Sequence, residues 1–508
     1  MKKFYITTAI AYASGKPHIG NVYEIVLADS IARYKRMKGY DVYFQTGTDE
    51  HGEKVEKSAH LNGVDPQTHV DNISKEIKRN FDLLNVSYDV FVRTTDSKHK
   101  EKVARIFQKL YDNGDIYKDI YEGWYCIPCE AYFTDLQLKD GKCPDCNREV
   151  EKRKEESYFF KLSKYTHKLL EHIEKNPKFL QPEFRKTEII NNFIKPGLQD
   201  LSITRNSFDW GVKVPFDNKN VIYVWIDALA NYITFLGYDV DKKDDKYNKY
   251  WPADLQIIGK DIFRFHAIYW PIILIALGEE LPKTIFGHQW LISDKEKMSK
   301  SRGNVLYADD LVAEFGVDKI RYYLLSSMPL TSDGLISREL IIEKTNADLV
   351  NTLGNLINRT ISMSIKYFDG VVKNTNDNNS LDNNLIKEAL NTVKEVEEEL
   401  DNLNISLALN HIIDFARTCN KYIDDTTPWT LAKEESFDRL NTVLYNILES
   451  IRIISILLKS FIPETSEKIL KALNTKETNI DSIYEFGKLE NSIKVDKLDI
   501  LFSRIDIE

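Results

Sequence analysis

Two short segments, Pro17-His18-Ile19-Gly20 and Lys297-Met298-Ser299-Lys300-Ser301, carry most of the information on the fold and chemistry of this chain of 508 residues. The first follows an apolar run, Phe4–Ile10, that is typical of a buried strand, and a turn that leads into a helix beginning near Gly20. His18 is therefore expected at a helix N-terminus, where unpaired backbone N–H groups and the helix dipole favour phosphate.

The second segment is a basic loop. Lys297 and Lys300 lie three residues apart, and Gly303 follows them. Two ammonium groups on a loop that closes over a triphosphate supply the charge that a phosphoryl transition state needs. Together the two segments predict a site that activates a carboxylate with ATP, with His18, Lys297 and Lys300 as catalytic residues.

Length and composition set limits on the class of protein. The length predicts two to four domains, and 43% apolar with 29% charged residues is enough for a core without disulfides. The most apolar stretches, such as Trp270–Leu277, are shorter than the roughly 20 residues that span a bilayer, so we expect no membrane segment. The first residues lack the features of a secretory signal, which predicts a cytoplasmic protein. A net charge of −9 argues against non-specific coating of nucleic acid but permits a local surface for one RNA.

The order of strand-like and helix-like segments predicts an α/β fold. Strands over 4–10 and 41–47 alternate with helices over 20–38, 66–85 and 97–113, which is the rhythm of a parallel sheet. Strand-like runs resume at Asn220–Trp225, Leu255–Gly259 and Thr284–Gly287. We therefore predict a Rossmann-type parallel sheet in two halves, residues 1–115 and 225–344, split by an insertion over residues 116–224.

Helical spacing dominates the last third of the chain. Apolar residues recur every three or four positions, as at Leu444, Ile447, Leu448 and Ile451. Residues 345–508 are therefore predicted to form an all-α domain.

Four of the five cysteines form two pairs of the pattern Cys-x-x-Cys. The pairs are Cys126 with Cys129 and Cys143 with Cys146, and 13 residues separate them. This spacing is typical of a tetrahedral zinc site that folds a short segment with little core of its own. The alternatives are a redox pair or thiols without a present role, because two disulfides are improbable in a cytosolic chain.

The two opening segments resemble the HIGH and KMSKS signatures of class I aminoacyl-tRNA synthetases. Within that class the chain is similar to the methionyl-tRNA synthetase family in five further segments: Ala9–Ala13, Gly47–Gly52, Tyr223–Ala228, Gly259–His266 and Gly287-His288. The short insertion with its cysteines also fits, whereas the leucine, isoleucine and valine enzymes carry a long editing insertion. The resemblance implies activation of methionine with ATP to methionyl-adenylate and pyrophosphate, and transfer of methionine to the 3′ end of tRNA(Met).

The resemblance also implies which residues bind methionine and ATP. Asp49 would pair with the ammonium, and Tyr12 or His266 would hydrogen-bond the sulfur. The implied methionine site is Ala9, Ile10, Tyr12, Asp49, Trp225, Ala228, Leu229, Tyr232, Ile262 and His266. The implied ATP contacts, with Mg²⁺ on the phosphates, are His18, Gly20, Asn21, Gly259, His288, Lys297 and Lys300. The alternative is that Trp225 and Tyr232 are core residues that do not contact methionine.

Two positions depart from the family pattern. Asn21 stands where the class usually has histidine, and an amide remains a neutral donor that cannot be protonated. Leu229 stands where many relatives carry proline.

Three residues of the helical domain resemble the positions with which the family reads the anticodon. Asn355 and Arg359 lie one helical turn apart, and Trp429 follows Pro428. An aromatic ring and two polar side chains suit splayed RNA bases, which are bound by stacking and by hydrogen bonds to their edges. The alternative for Trp429 is a structural anchor that docks its helix.

The two opening segments also leave other functions open. These are a different class I synthetase, such as one for cysteine, a nucleotidyltransferase with the same phosphate-binding histidine, and a catalytically silent RNA-binding protein. Because the chain stops soon after Leu501–Ile505, where some relatives continue into an appended dimerisation domain, we expect a monomer.

Overall fold

The computed structural model describes residues 1–129, 131–133, 135–144, 146–293, 296–297 and 305–506. They form two compact units. One contains residues 1–28, 40–82 and 86–290, and the other contains residues 29–39, 83–85 and the described residues from 291 onward. The domain boundaries given above stay predictions.

The elements up to residue 290 include both strands and helices, and four strands, β9 to β12, follow one another in the insertion. The strands are β1 (Lys3–Thr8), β2 (Ala11–Tyr12), β3 (Asp41–Asp49), β4 (Val90–Arg93), β5 (Ile116–Cys126), β6 (Ala131–Phe133), β7 (Glu151–Phe160), β8 (Leu180–Gln181), β9 (Leu201–Ser202), β10 (Thr204–Arg205), β11 (Lys213–Val214), β12 (Asp217–Ile222), β13 (Leu255–Gly259) and β14 (Ile285–His288). The α-helices are α1 (Ile19–Met37), α2 (Glu53–Leu61), α3 (Pro66–Leu83), α4 (Ser97–Asp112), α5 (Thr166–Lys175), α6 (Glu183–Ile189), α7 (Val224–Thr234), α8 (Asp245–Tyr250) and α9 (Trp270–Leu277).

From residue 291 onward helices dominate. The strands are β15 (Leu291–Ser293), β16 (Glu296–Lys297), β17 (Gly334–Leu335), β18 (Val371–Lys373) and β19 (Ser492–Lys494). The α-helices are α10 (Ala308–Phe315), α11 (Val317–Ser326), α12 (Arg338–Lys344), α13 (Asn355–Phe368), α14 (Ser380–Asp401), α15 (Ile405–Thr426), α16 (Pro428–Lys433), α17 (Phe437–Leu458) and α18 (Pro463–Leu473).

A parallel sheet of the predicted Rossmann type organises the first unit. Its strand order in the described residues is β2-β3-β1-β13-β14-β8, and β4 also pairs with β3. Ile6 of β1 lies opposite Phe44 of β3 on one side and Leu255 of β13 on the other. Later strands of the chain thus pair with β1 on both of its sides, so the strand order reverses at β1. The carboxyl ends of the strands at such a switch point form the crevice where ligands bind.

The insertion contains its own antiparallel sheet, in the order β6-β5-β7-β9. Two details differ from the prediction. The run Asn220–Trp225 does not return to the parallel sheet, because β12 lies in a small antiparallel sheet with β10 and β11 and α7 begins at Val224. A short apolar run buried on all sides has no periodicity that separates strand from helix, which explains the error. Conversely, β8, which lies inside the predicted insertion, joins the parallel sheet beside β14.

The predicted helical domain is confirmed, with one small antiparallel pair, β18 and β19. Within the described residues, one helix, α17, is long and apolar enough to cross a membrane, but its apolar window is 100% buried inside the fold. Leu444, Ile447 and Ile451, whose spacing indicated a helix, lie on this helix and are buried. The helix is thus placed as a core helix.

Candidate functional site

Several of the predicted ligand-binding residues lie at the carboxyl edge of the parallel sheet. Asp49 ends β3, Gly259 ends β13 and His288 ends β14. Tyr12 on β2 lies directly opposite Asp49 on β3. A side chain on Gly259 would clash with the carboxylate of Asp261, since a Cβ there would lie 2.8 Å from Asp261 Oδ1.

His18 caps the N-terminus of α1. Its Nδ1 accepts a hydrogen bond from the backbone N–H of Gly20 at 3.1 Å, and the Asn21 side-chain oxygen accepts one from the backbone N–H of His18 at 3.2 Å. This reciprocal pair resembles a capping box, except that His18 accepts from the second residue of the helix rather than from the third. Because Nδ1 is an acceptor, a neutral His18 ring carries its proton on Nε2. The amide oxygen of Asn21 caps the backbone N–H of His18, and a contact of Asn21 with ATP stays a prediction.

His288 forms a buried pair with Glu24, a residue that the sequence analysis did not identify. His288 Nε2 lies 3.0 Å from Glu24 Oε2, and Nδ1 lies 2.8 Å from the carbonyl oxygen of Gln289. Burial acts to lower the pKa of His288, but the hydrogen bond and charge of Glu24 outweigh it, and the pKa is raised. Both ring nitrogens are therefore engaged, so a contact of His288 with ATP stays a prediction.

An aromatic wall lines the predicted amino-acid site. Trp225 stacks on Phe265 with ring centroids 4.0 Å apart and an interplanar angle of 3°, and it meets His266 edge-on at 6.1 Å. Ala228, Leu229 and Tyr232 follow on α7 and are buried. Phe265 was missed because it lies 40 residues from its stacking partner. Ala9, Tyr12, Trp225 and Ile262 pack against the core that contains Leu229 and Tyr232, and their contact with methionine stays a prediction.

Hydrogen bonds fix the protons at the end of this wall. His266 Nδ1 lies 3.1 Å from the carbonyl oxygen of Ile262 and must donate to it, so Nε2 accepts from the hydroxyl of Tyr232 at 2.8 Å. Burial lowers the pKa of His266 to about 4. Burial, with the negative charges of Glu24 and Asp49, raises the pKa of Tyr232 well above its usual value. The neutral His266 ring has no N–H left for a sulfur atom, so the geometry favours Tyr12 of the two predicted sulfur donors.

The low pKa of His266 predicts a loss of stability in acid. Its folded-state pKa lies below the unfolded value of about 6.5, so the unfolded chain binds more protons between those values. This contribution is complete above about pH 6.5 and is lost as the pH falls toward 4, at roughly 1.4 kcal/mol per pKa unit. Chemical unfolding should give a lower free energy of unfolding at pH 5 than at pH 7. The His266→Gln variant should show a smaller difference between the two pH values. An equal difference in both proteins would contradict the assignment.

The four paired cysteines form one cluster. The sulfur atoms of Cys126 and Cys146 are 3.5 Å apart, those of Cys129 and Cys143 are 3.8 Å apart, and all four lie within 4.8 Å of one another. All four are free thiols rather than disulfides. Four sulfurs bound at 2.3 Å to one tetrahedral ion lie about 3.8 Å apart. The cluster therefore has the dimensions of a site for one metal ion.

The predicted anticodon residues lie on helices of the second unit. Asn355 begins α13, and its amide nitrogen lies 3.4 Å from Asn420 Oδ1 on α15. Arg359, one turn later, donates to Asp424 of α15 at 2.9 Å. Trp429 lies on α16, directly after α15 ends, and 45% of its surface is exposed. This exposure favours a contact surface over a buried anchor.

The basic loop is described only at its start. Lys297 belongs to β16, opposite Ile292 of β15. Lys300, with the rest of the predicted KMSKS segment, lies outside the described residues.

Sequence models of known families match nearly the whole chain. "tRNA synthetases class I (M)" matches residues 4–155 and 147–361, and "Anticodon binding domain of methionyl tRNA ligase" matches residues 372–508. The chain belongs to the methionyl-tRNA synthetase family of class I. It is 54% identical to the methionine–tRNA ligase of Clostridium acetobutylicum over 100% of this chain and 79% of that protein, and 48% identical to that of Bacillus subtilis over 99% and 78%.

Solved structures of the family have the same fold. The methionyl-tRNA synthetase of Mycobacterium tuberculosis in complex with methionyl-adenylate matches with a TM-score of 0.95 at 41% identity, over 99% of this chain and 100% of that one. The free form of the same enzyme matches with a TM-score of 0.87 at 38% identity, over 100% and 99%. The expected family, fold class and enzyme class are thereby confirmed.

Proposed function

We propose that this methionyl-tRNA synthetase family member is a methionine–tRNA ligase. It activates methionine with ATP to methionyl-adenylate and pyrophosphate, and it transfers methionine to the 3′ end of tRNA(Met). The observation that carries the proposal is the pairing of Tyr12 with Asp49 at the edge of the sheet that also bears the Trp225–Phe265 wall. A carboxylate beside an aromatic, apolar slot suits an amino acid with an ammonium group and a flexible thioether.

Asp49 binds the ammonium of methionine. The stacked rings of Trp225 and Phe265 form one wall of the pocket for the methionine side chain. The implied contacts of Ala9, Ile10, Ala228, Leu229 and Ile262 complete the apolar wall. The Tyr232–His266 hydrogen bond closes the end of the slot and stays neutral at physiological pH, since the pKa of His266 is about 4. The slot thus offers no charge to the methionine side chain.

The first chemical step needs no general base. The carboxylate of methionine is ionised at neutral pH and attacks the α-phosphate directly. The residues of this chain therefore act by positioning the reactants and neutralising charge. His18 and the N–H groups at the start of α1 hold the phosphates, with Gly20, Asn21, Gly259 and His288 as further contacts, and Lys297 and Lys300 act from the basic loop. Mg²⁺ bound with ATP would balance the charge of the leaving pyrophosphate.

The second step transfers methionine from the adenylate to a terminal adenosine hydroxyl of tRNA. Asn355, Arg359 and Trp429 select the tRNA by its anticodon. In this proposal the enzyme works as a monomer in the cytoplasm. Charging of tRNA(Met) with labelled methionine tests the step: we expect charging of tRNA(Met), and loss of it when the anticodon is changed. Equal charging of both tRNAs would contradict the role of the helical unit.

The metal held by the four cysteines is one structural Zn²⁺. Thiolates at these separations match the geometry of a tetrahedral zinc site. The cysteine cluster has a small core of its own, in which Phe133 packs with the cysteines. Metal binding then supplies folding energy to the insertion.

Protein purified without chelator should contain one zinc ion per chain. Cys143→Ser should lose it, because a serine hydroxyl is a poor zinc ligand, whereas Cys419→Ser changes a buried thiol of the helical unit and should keep it. Elemental analysis measures both. An unchanged zinc content in Cys143→Ser would remove Cys143 from the ligand set.

A further inference from the structure

A buried carboxylate outside the proposed chemistry connects three segments of the first unit. Asp227 on α7 is 1% exposed. Its Oδ2 lies 2.6 Å from His51 Nδ1, and its Oδ1 lies 2.9 Å from His99 Nε2. His99 Nδ1 in turn lies 2.7 Å from the hydroxyl of Thr234. Two imidazole rings, one carboxylate and one hydroxyl thus form a continuous hydrogen-bonded chain.

The proton positions in this cluster follow from the acceptor at its centre. Burial acts to raise the pKa of Asp227, but His51 and His99 outweigh it and lower the pKa to about 2. Asp227 is therefore an ionised acceptor, and both rings donate to it. Buried charges are a poor means of stabilising a core, since apolar residues of similar volume often do as well. The directed hydrogen bonds of the cluster instead fix the positions of the segments that it joins.

The joined segments carry the two halves of the amino-acid site. His51 follows Asp49 by two residues at the end of β3, and Asp227 lies on α7 between Trp225 and Ala228. The His51–Asp227 hydrogen bond therefore links the carboxylate for the ammonium to the helix that forms the aromatic wall. The indole of Trp210 meets the His51 ring edge-on at 5.5 Å and covers it.

We propose that Asp227 is a positioning residue that, through His51, sets the position of Asp49 relative to the aromatic wall on α7. The inference rests on the proposed function, because it concerns the same amino-acid site. Such a residue touches no reacting atom. It acts on the affinity for methionine, because the groups of a binding site must be held within about 0.5 Å of their productive positions.

The test compares methionine binding, ATP binding and melting temperature in four variants of the full chain. Asp227→Ala removes the central acceptor. His51→Phe keeps a ring beneath Trp210 but loses the N–H, and His51→Asn restores an N–H in a similar place. Thr234→Val is the matched control, because it removes the hydrogen bond to His99 and leaves the His51–Asp227 bond intact.

We expect Asp227→Ala and His51→Phe to raise the Kd for methionine by roughly tenfold or more, with the Kd for ATP unchanged. His51→Asn should recover most of the affinity, and Thr234→Val should lower only the melting temperature. The inference is overturned if folded His51→Phe binds methionine within about twofold of the unsubstituted protein, or if Thr234→Val loses as much affinity as the others. If the unsubstituted protein does not bind methionine at all, the proposed function fails, and the inference with it.

Discussion

Asp49→Asn should lower kcat/KM for methionine in pyrophosphate exchange by roughly thirtyfold to several thousandfold. The reason is that removing one partner of a buried charge pair costs about 2–5 kcal/mol. Asp49 is 9% exposed, and its strand neighbour Tyr12 occupies the adjacent part of the site. The amide keeps the size of the side chain but cannot balance the ammonium of methionine.

The control for this variant is Asp65→Asn, which makes the same chemical change at an exposed position ahead of α3. It should leave exchange unaltered, because asparagine caps a helix as well as aspartate does. Steady-state kinetics with methionine varied at saturating ATP measures both variants. A kcat/KM for Asp49→Asn within about threefold of the unsubstituted value would remove Asp49 from the ammonium site.

Trp429→Ala should lower kcat/KM for tRNA charging by tenfold to several hundredfold while methionine-dependent pyrophosphate exchange keeps its rate. Stacking of one base on an aromatic ring contributes roughly 1–3 kcal/mol, and poor placement of the tRNA adds to this loss. Trp429→Phe, which keeps a stacking surface, should retain most of the charging activity.

The exposed fraction of Trp429 makes this test informative. A fully packed indole costs about 3–5 kcal/mol of stability when it is replaced by alanine, whereas a side chain that is 45% exposed loses less. A melting temperature that falls together with both activities would identify Trp429 as a structural anchor. Normal tRNA charging by a folded Trp429→Ala protein would reject the anticodon role.

The sequence predicts the fold where local signals are strong. Strands β1, β3, β13 and β14 alternate with helices, and α1 begins within one residue of the predicted position because His18 and Asn21 cap it. The convergence of Asp49, Gly259 and His288 follows from the same prediction, since the carboxyl ends of parallel strands meet at one edge. The prediction is wrong at Asn220–Trp225 because a short apolar run is equally compatible with a buried strand and with a buried helix.

Contacts between distant segments could not be predicted from one sequence. Glu24 and His288 are 264 residues apart, and His51 and Asp227 are 176 residues apart. Each pair forms only because distant elements pack against each other. Neither the residue types nor their spacing in the sequence indicates that packing. The same limit hid Phe265, whose stacking on Trp225 requires α7 to lie beside the turn after β13. The sequence therefore proposes a set of site residues, but it does not predict the hydrogen bonds that connect them to other segments.

Amino-acid-dependent exchange of labelled pyrophosphate into ATP tests the central claim most directly. The assay needs no tRNA and reports adenylate formation for each amino acid separately. We expect exchange with methionine and close thioether analogues, and none above background with the other standard amino acids. Exchange with leucine or cysteine at a rate equal to that with methionine, or no exchange with any amino acid, would contradict the assignment of this chain as a methionine–tRNA ligase.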